Sequence, residues 1–333
     1  MKKGVKKGLI IAGISVGGII ALLLLTVIVI IAFEPYFYGD FFGNARQEFM
    51  LPGISDDFVQ QGITYSDGEF LSCGYMSGEK RPSRVYITDH ESGASRYVGL
   101  KDENGAEYYG HAGGLAAYGD KLLVCDSEGG SGILVFDIAE VKNADGGFVT
   151  AKGAFPVDCN ASFCYVEGDI LYVGEFYREQ NYKTNASHHL TTPAGGKHHA
   201  LIFGYPLSPS EPLALASAVP VLAYSVTDLA QGMCITPGGR IVISTSYALA
   251  NSHNYIYKKP AEEPGGDFDL NGAKIPLWYL DSAALDDDIV LPPMSEELVC
   301  VDGRVYVIGE AASNKYFFGK LLRAKYVWSY PAT

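Results

Sequence analysis

The chain has 333 residues, is rich in glycine and tyrosine, and carries a formal net charge of −13. Four of its basic residues are lysines at the extreme N-terminus, so the remainder is still more acidic, which argues against a nucleic-acid partner because such a partner needs a basic face. Abundant tyrosine and glycine favour strands and turns over helices.

The N-terminus predicts a membrane anchor. Residues 1–8 form a basic tail, and residues 9–33 are a run of 25 uncharged residues, long enough to span a bilayer. The apolar region of a cleaved signal peptide is shorter, roughly 7–15 residues, and ends in a small-residue cleavage site that is absent here. Because lysines precede the span and none follows it directly, we expect a single-pass signal anchor with a cytoplasmic tail and an extracellular domain.

Residues 34–54 are predicted to form a juxtamembrane linker. It begins with the aromatic stretch EPYFYGDFFG (34–43), which suits a membrane interface, and it includes ARQEFMLP (45–52), a candidate strand for closing a ring. The C-terminal KYVWSYPA (325–332) could complete the same ring, and the sequence leaves this choice open.

A hairpin pattern recurs five times in residues 55–333. Each copy has a small or polar pair, a short apolar strand, a glycine-containing turn and a second apolar strand. A third strand and a more variable fourth strand are predicted after most hairpins, including KYFFGKLL (315–322) as a third strand and PLWYLDS (276–282) as a fourth. The hairpins are QGITYSDGEFLSCGY (61–75), GGLAAYGDKLLVCDS (113–127), ASFCYVEGDILYVGEF (161–176), QGMCITPGGRIVISTS (231–246) and EELVCVDGRVYVIGE (296–310).

Five four-stranded antiparallel units without a helix-period segment predict an all-β fold, a β-propeller of five blades, after one transmembrane helix. A β-sandwich or two small β domains are the alternatives. The stretches HAGGLAAYGDKLLVCD, YVGEF and GGRIVISTS resemble YncE-like and quinoprotein-like β-propellers, and among them secreted or membrane-anchored bacterial proteins. The resemblance implies a fold and an exported protein, and it carries over no catalytic residue.

The resemblance also implies that loops entering first strands and loops joining second to third strands open on one face, where ligands often bind. Most histidines map to that face. His111, beside two glycines, is the strongest single candidate for function. Neutral imidazole is a good metal ligand, so the histidines of one long connector are candidates for a divalent metal site, with solvated loop histidines as the alternative: His188, His189, His198 and His199.

Carboxylates fall near the same rim, at the ends of second strands. Two carboxylates across a funnel could act as acid and base in glycoside cleavage. The candidate catalytic residues are therefore His111, Asp126, Glu175 and Glu310, although Glu175 and Glu310 could instead accept hydrogen bonds from neighbouring blade backbones.

Polar residues at equivalent first-strand positions are predicted to face the central channel. With His111 they are the candidate ligand-binding residues, and ordered water in a polar channel is the alternative. These residues are Gln61, Gln231 and Glu296.

Three functions stay open at this point. The first is a membrane-anchored binding or protein-interaction module for a small molecule, glycan or protein; the second is a glycan hydrolase; the third is a metal- or cofactor-dependent oxidoreductase of the quinoprotein type. No P-loop or HExxH motif decides among them. Convergence of His111, Asp126 and Glu175 on one pocket would favour an enzyme, and their separation would favour a binding module.

Overall fold

The N-terminal part of the computed structural model is helical. The structure describes residues 2–78, 80–127, 132–316 and 318–332, without the side chains of residues 2–15. Helix α1 (Lys2–Phe37) is followed by α2 (Gly39–Asn44) and strand β1 (Arg46–Met50). The stretch Val16–Phe37 of α1 has a mean hydropathy of 3.1 and is long and apolar enough for a membrane anchor or a signal sequence.

The predicted linker, residues 34–54, is mostly regular structure rather than an extended connection. Its aromatic residues explain this, because they pack against the C-terminal strand. Phe41 in α2 is only 3% exposed and contacts the rings of Trp328 and Tyr330. The Arg323 backbone N–H also donates to Glu34 near the end of α1, at 3.1 Å.

The rest of the described chain forms a five-bladed β-propeller, which confirms the predicted fold class. The strands of blade one are β2 (Phe58–Ser66), β3 (Glu69–Met76), β4 (Arg84–Asp89) and β5 (Ser95–Lys101). Blade two comprises β6 (Leu115–Tyr118), β7 (Lys121–Asp126), β8 (Gly132–Asp137) and, after helix α3 (Ile138–Asn143) and the short strand β9 (Phe148–Thr150), β10 (Gly153–Pro156). Strand β9 pairs in parallel with β5 and so extends blade one.

Blade three has four main strands and a small hairpin in one of its connectors. Its strands are β11 (Phe163–Glu167), β12 (Ile170–Gly174), β15 (Ala200–Pro206) and β16 (Leu222–Val226), and the small hairpin β13 (Leu190–Thr191) and β14 (Lys197–His198) lies in the connector before β15. Blade four contains β17 (Ala230–Ile235), β18 (Ile241–Thr245), β19 (Ser252–Tyr257) and, after the hairpin β20 (Gly266–Leu270) and β21 (Ala273–Tyr279), β22 (Leu285–Leu291).

The prediction that residues 276–282 form the fourth strand of blade four is wrong. Most of this segment lies in β21, which pairs in parallel with β16 of blade three, and β22 is the fourth strand of blade four. The physical reason is burial, because Phe268, Ile275 and Leu277 of the β20–β21 hairpin pack into the hydrophobic core that blades two and three share.

Both candidate segments take part in ring closure. Blade five contains β23 (Ser295–Val301), β24 (Arg304–Gly309), β25 (Tyr326–Pro331) and β1 as its fourth strand. Residues 315–322, predicted as the third strand, instead include a 3-10 turn at Phe318–Leu321. There the Gly319 N–H donates to the Ala311 carbonyl at 3.1 Å, which folds the segment back on itself.

The antiparallel order within each blade defines two faces. Loops that enter first strands and loops that join second to third strands share one face, which we call the mouth face. Loops that join first to second and third to fourth strands lie on the opposite face.

Candidate functional site

Glu297 lies where the first strands of the blades meet. Its carboxylate accepts backbone N–H groups from three blades, Ile63 at 2.9 Å, Leu115 at 3.2 Å and Cys164 at 3.0 Å. Burial raises the pKa of Glu297 well above its ordinary value, and the three N–H donors oppose that rise. The side chain thus joins the blades at the axis, where the sequence predicted only a polar lining.

Glycines make room for this carboxylate. A Cβ on Gly62 would lie 2.8 Å from Glu297 Oε2, and a Cβ on Gly232 would lie 2.6 Å from Glu297 Cα. A Cβ on Gly114 would touch Glu297 Oε1 and lie 2.8 Å from Phe163 Cα. The glycines of these three recurrent pairs therefore reflect close approach of backbones at the axis.

Three polar residues sit one step nearer the mouth, where register shifts interrupt the first strands. The shifts fall between Gln60 and Gly62, between Ala230 and Gly232, and between Ser295 and Leu298. Each leaves extra residues unpaired, as in a β-bulge, which re-aims side chains next to a site. The residues concerned are the predicted Gln61, Gln231 and Glu296, with Glu297.

Gln61 connects His111 to Glu310. Its Oε1 lies 2.6 Å from His111 Nε2, and its Nε2 donates to Glu310 Oε2 at 3.3 Å. Gln231 Nε2 donates to Glu296 Oε1 at 3.4 Å, and Glu296 is a charged neighbour of Glu310. The structure therefore brings together all four predicted ligand-binding residues and one of the predicted catalytic acids.

Two tyrosines and a lysine complete the group, and sequence reasoning missed them. The Tyr75 ring lies over His111 with 4.4 Å between centroids. Lys315 Nζ donates to the Tyr75 hydroxyl at 2.5 Å and lies 5.1 Å from the centre of the Tyr316 ring. Tyr316 also hydrogen-bonds Glu310. We refer to these eight residues as the mouth cluster: Gln61, Tyr75, His111, Gln231, Glu296, Glu310, Lys315 and Tyr316.

Burial controls the charges in the mouth cluster. It raises the pKa of Glu296 well above its ordinary value, and the neighbouring Glu310 adds to the rise. Burial also raises the pKa of Glu310, against the opposing effects of Lys315, Tyr316 and Gln61. The pKa of His111 falls to about 4, first through burial and then through Lys315, so the imidazole is neutral at pH 7. An added anion would increase the repulsion, whereas an added cation would relieve it.

The other candidate acids lie in different surroundings. Asp126 accepts the Tyr108 hydroxyl at 2.7 Å and lines a cleft with Asp102 and Glu103. Glu175 is buried and accepts the backbone N–H of Leu201 at 3.1 Å.

The described contacts thus do not gather His111, Asp126 and Glu175 in one pocket. Asp126 and Glu175 hold equivalent positions on second strands of neighbouring blades, and the rotation between blades directs them to separate places. Glu175 also accepts the Asn160 N–H at 3.2 Å, so its two backbone donors belong to blade three and the segment that enters it, rather than to a neighbouring blade.

The connector histidines bind separate partners. Within the described residues, no group of three or more His, Cys, Asp or Glu side chains could hold a metal ion. Neighbouring side chains in an extended segment point to opposite sides, which keeps His198 and His199 apart. The contacts are His188 Nδ1 to Glu175 at 2.9 Å, His189 Nε2 to Thr184 at 3.1 Å, His198 Nδ1 to Ser225 at 3.0 Å and His199 Nδ1 to Asp228 at 2.9 Å. The predicted divalent metal site therefore finds no support here.

Comparison with known proteins identifies no family for this chain. No family model matches the chain, and no curated protein matches it. One similar solved structure is the pyrroloquinoline quinone-bound aldose sugar dehydrogenase from Streptomyces coelicolor, at 13% identity and a TM-score of 0.45, with 86% of this chain and 96% of that chain covered.

The mouth cluster does not fit that quinone. The cofactor is a polycarboxylate, which needs cationic and donor groups, whereas the cluster holds two carboxyl groups with raised pKa values and one lysine. The described residues therefore give no support for binding of that quinone at the mouth.

Proposed function

We propose that this protein is a membrane-anchored, extracellular binding module whose mouth cluster holds a small ligand bearing a cationic amine. The observation that carries the proposal is the placement of Glu296 and Glu310 together among tyrosine rings, with the pKa of both carboxyl groups raised by burial. A cation would restore the charged form of these groups by direct pairing.

Accessibility assigns different roles to the two acids. Glu296 is 2% exposed and lies behind Gln231, whereas Glu310 is half-buried and reaches the mouth. An ammonium group would therefore pair with Glu310 and lie against the ring of Tyr75 or Tyr316 through cation–π attraction. The ammonium of Lys315 lies 5.0 Å from the centre of the Tyr75 ring and 5.1 Å from that of Tyr316, so both rings already lie near a cation.

The membrane anchor is supported from both ends of α1. Lysines precede the apolar stretch in the sequence, and Val16–Phe37 is long enough to span a bilayer. At its C-terminal end the chain is fastened to the propeller through Glu34 and Phe41. Residues that belong to the packed structure would thus tie the propeller to the bilayer.

The proposal is tested by a thermal-stability screen with matched ligand pairs, using the full chain in detergent. Ethanolamine and glucosamine should raise the melting midpoint, because a ligand that binds the folded state stabilises it, whereas ethylene glycol and glucose should not.

Glu310→Gln should weaken amine binding about tenfold or more, as loss of a charged hydrogen-bond partner does. Glu263→Gln, an exposed acid away from the mouth cluster, serves as the control. Equal shifts with amines and alcohols, or equal binding by both variants, would refute the proposal.

A glycan hydrolase is the second candidate, because two carboxyl groups of raised pKa in one mouth could divide the roles of acid and base. On this hypothesis the full chain hydrolyses members of an aryl-glycoside panel, and Glu310→Gln lowers turnover about a hundredfold or more. Absence of hydrolysis across α- and β-linked substrates would leave the binding module as the better account.

A further inference from the structure

Most of the connector between β24 and β25, residues 311–325, has an unusual charge for this protein. These residues include four basic and no acidic side chains, within a chain of net charge −13, and the one acid of the whole connector is Glu310 at its first position. The basic residues are Lys315, Lys320, Arg323 and Lys325. A basic segment on an acidic protein indicates an anionic partner.

The fold fixes this connector beside the end of the apolar helix. The Arg323 N–H donates to Glu34 Oε2 at 3.1 Å, and the Arg323 guanidinium lies 5.5 Å from the centre of the Phe42 ring. Glu34 is three residues from the end of the Val16–Phe37 stretch, which is about 5 Å along a helix axis. If that stretch spans a bilayer, Arg323 lies at the depth of the lipid headgroups.

The exposed side chains around this point suit a membrane interface. Tyr36 is 80% exposed and Phe37 is 71% exposed, at the end of the helix. Leu321, in the connector, is 51% exposed. Aromatic rings at headgroup level and an apolar residue among basic ones are typical of segments that lie on a bilayer.

We propose that residues 311–325 bind the anionic headgroups of the bilayer in which α1 is inserted. This inference rests on the proposed membrane anchoring, and it adds a lipid-binding surface that the anchor alone does not require. The same connector supplies Lys315 and Tyr316 to the mouth cluster. The ligand site therefore lies beside the membrane surface, where it would bind solutes that accumulate at that surface.

The test compares two fluorophore positions in the full chain reconstituted into vesicles. Leu321→Cys and Val219→Cys are labelled separately on a Cys300→Ser background, because the other native cysteines are buried. Val219 is 50% exposed, nearly the same as Leu321, but it lies in a loop joining third to fourth strands on the face away from the mouth. It is thus a matched control for accessibility in the protein alone.

In vesicles of phosphatidylcholine and phosphatidylglycerol, iodide should quench the label at residue 219 several-fold more than the label at residue 321. Neutralising Lys320, Arg323 and Lys325 to Gln should remove this protection, since each cation near an anionic surface contributes about fivefold to binding. The Arg323→Gln change keeps the backbone N–H bond to Glu34.

Equal quenching at the two positions, in a chain that resists alkaline carbonate extraction, overturns the inference and leaves the anchor intact. Protection that persists in phosphatidylcholine alone and in the neutralised variant overturns the assignment to anionic headgroups. Release of the chain by carbonate contradicts the proposed anchoring and this inference together.

Discussion

Glu297 shows how a single buried acid can organise a propeller. Three N–H groups from the first strands of blades one, two and three point at its two carboxylate oxygens. Removing the acceptor would leave these donors buried without a partner, and each such loss costs about 1–3 kcal/mol. The residue therefore links the first strands of three blades.

We predict that Glu297→Ala lowers the free energy of unfolding by more than about 3 kcal/mol, as measured by denaturant titration of the full chain in detergent. Glu297→Gln should fall between this variant and the parent, because its amide retains one accepting oxygen. The exposed Glu263→Gln is the control. A stability of Glu297→Ala equal to that of the control would contradict the structural role.

His111 gives the molecule a defined response to acid. Its pKa is about 4 in the folded protein and about 6.5 in an unfolded chain, so the unfolded state binds the proton first as pH falls. Neutral His111 makes its full contribution to the stability of the folded state above pH 6.5, and this contribution is lost as the pH falls from about 6.5 to 4. The raised pKa values of Glu296 and Glu310 act in the opposite direction, since they favour the folded state at low pH.

The melting midpoint of His111→Gln should therefore fall less than that of the parent as pH is lowered through this window. Glutamine can still donate to Gln61 Oε1, so the main change is the loss of the titrating group. Circular dichroism melts across the pH series measure the difference. Parallel curves for parent and variant would show that His111 does not titrate in this way.

The placement of polar residues near the axis could be predicted from the sequence, whereas the placement of those further out could not. Gln61, Gln231 and Glu296 were predictable because polar residues interrupt apolar strands at matching positions. Asp126 and Glu175 also match each other, but matching positions in a propeller are related by rotation and converge only close to the axis. Tyr75 and Tyr316 gave no signal, because a tyrosine at a strand end or in a connector is ordinary in so tyrosine-rich a chain.

At the scale of elements, the first strands depend on glycine where they approach the axis. A Cβ on Gly114 would meet Glu297 Oε1 and the Phe163 backbone together, and neither can move far inside the ring. By contrast, a Cβ on Gly238 would have only Thr236 Oγ1 nearby, at 3.8 Å.

We expect Gly114→Ala to destabilise the protein by about 1–3 kcal/mol through overpacking, and Gly238→Ala to change stability much less. Denaturant titration of the two variants gives the comparison. Equal effects of the two substitutions would contradict the close packing of the first strands on Glu297.

Hairpins were predictable because short glycine-containing turns fix both strands locally. Strand partners distant in sequence were harder to predict. The β20–β21 hairpin is inserted in blade four yet adds to blade three, and its alternating apolar residues would suit either edge. The segment 315–322 reads as a strand by composition, but the 3-10 turn at Phe318–Leu321 and the bond from the Gly319 N–H to the Ala311 carbonyl give it another conformation.

At the scale of the whole molecule, the end of the apolar helix, the ring closure and part of the mouth cluster meet in blade five. Strand β1, which directly follows the two helices, pairs with β25 and closes the ring. Blade five also supplies Glu296, Glu297 and Glu310. The end of the apolar helix and the mouth cluster are thus parts of one packed unit.

Proton release on ligand binding tests the central claim most directly. Calorimetry of the full chain with the tightest-binding amine of the panel, in buffers of different ionisation enthalpy, measures the protons exchanged. A cation beside Glu310 and Glu296 lowers their raised pKa values, so we predict that protons are released, that affinity rises with pH, and that Glu310→Gln reduces the release. Binding without proton release and with an affinity independent of pH would contradict a cation site at the mouth.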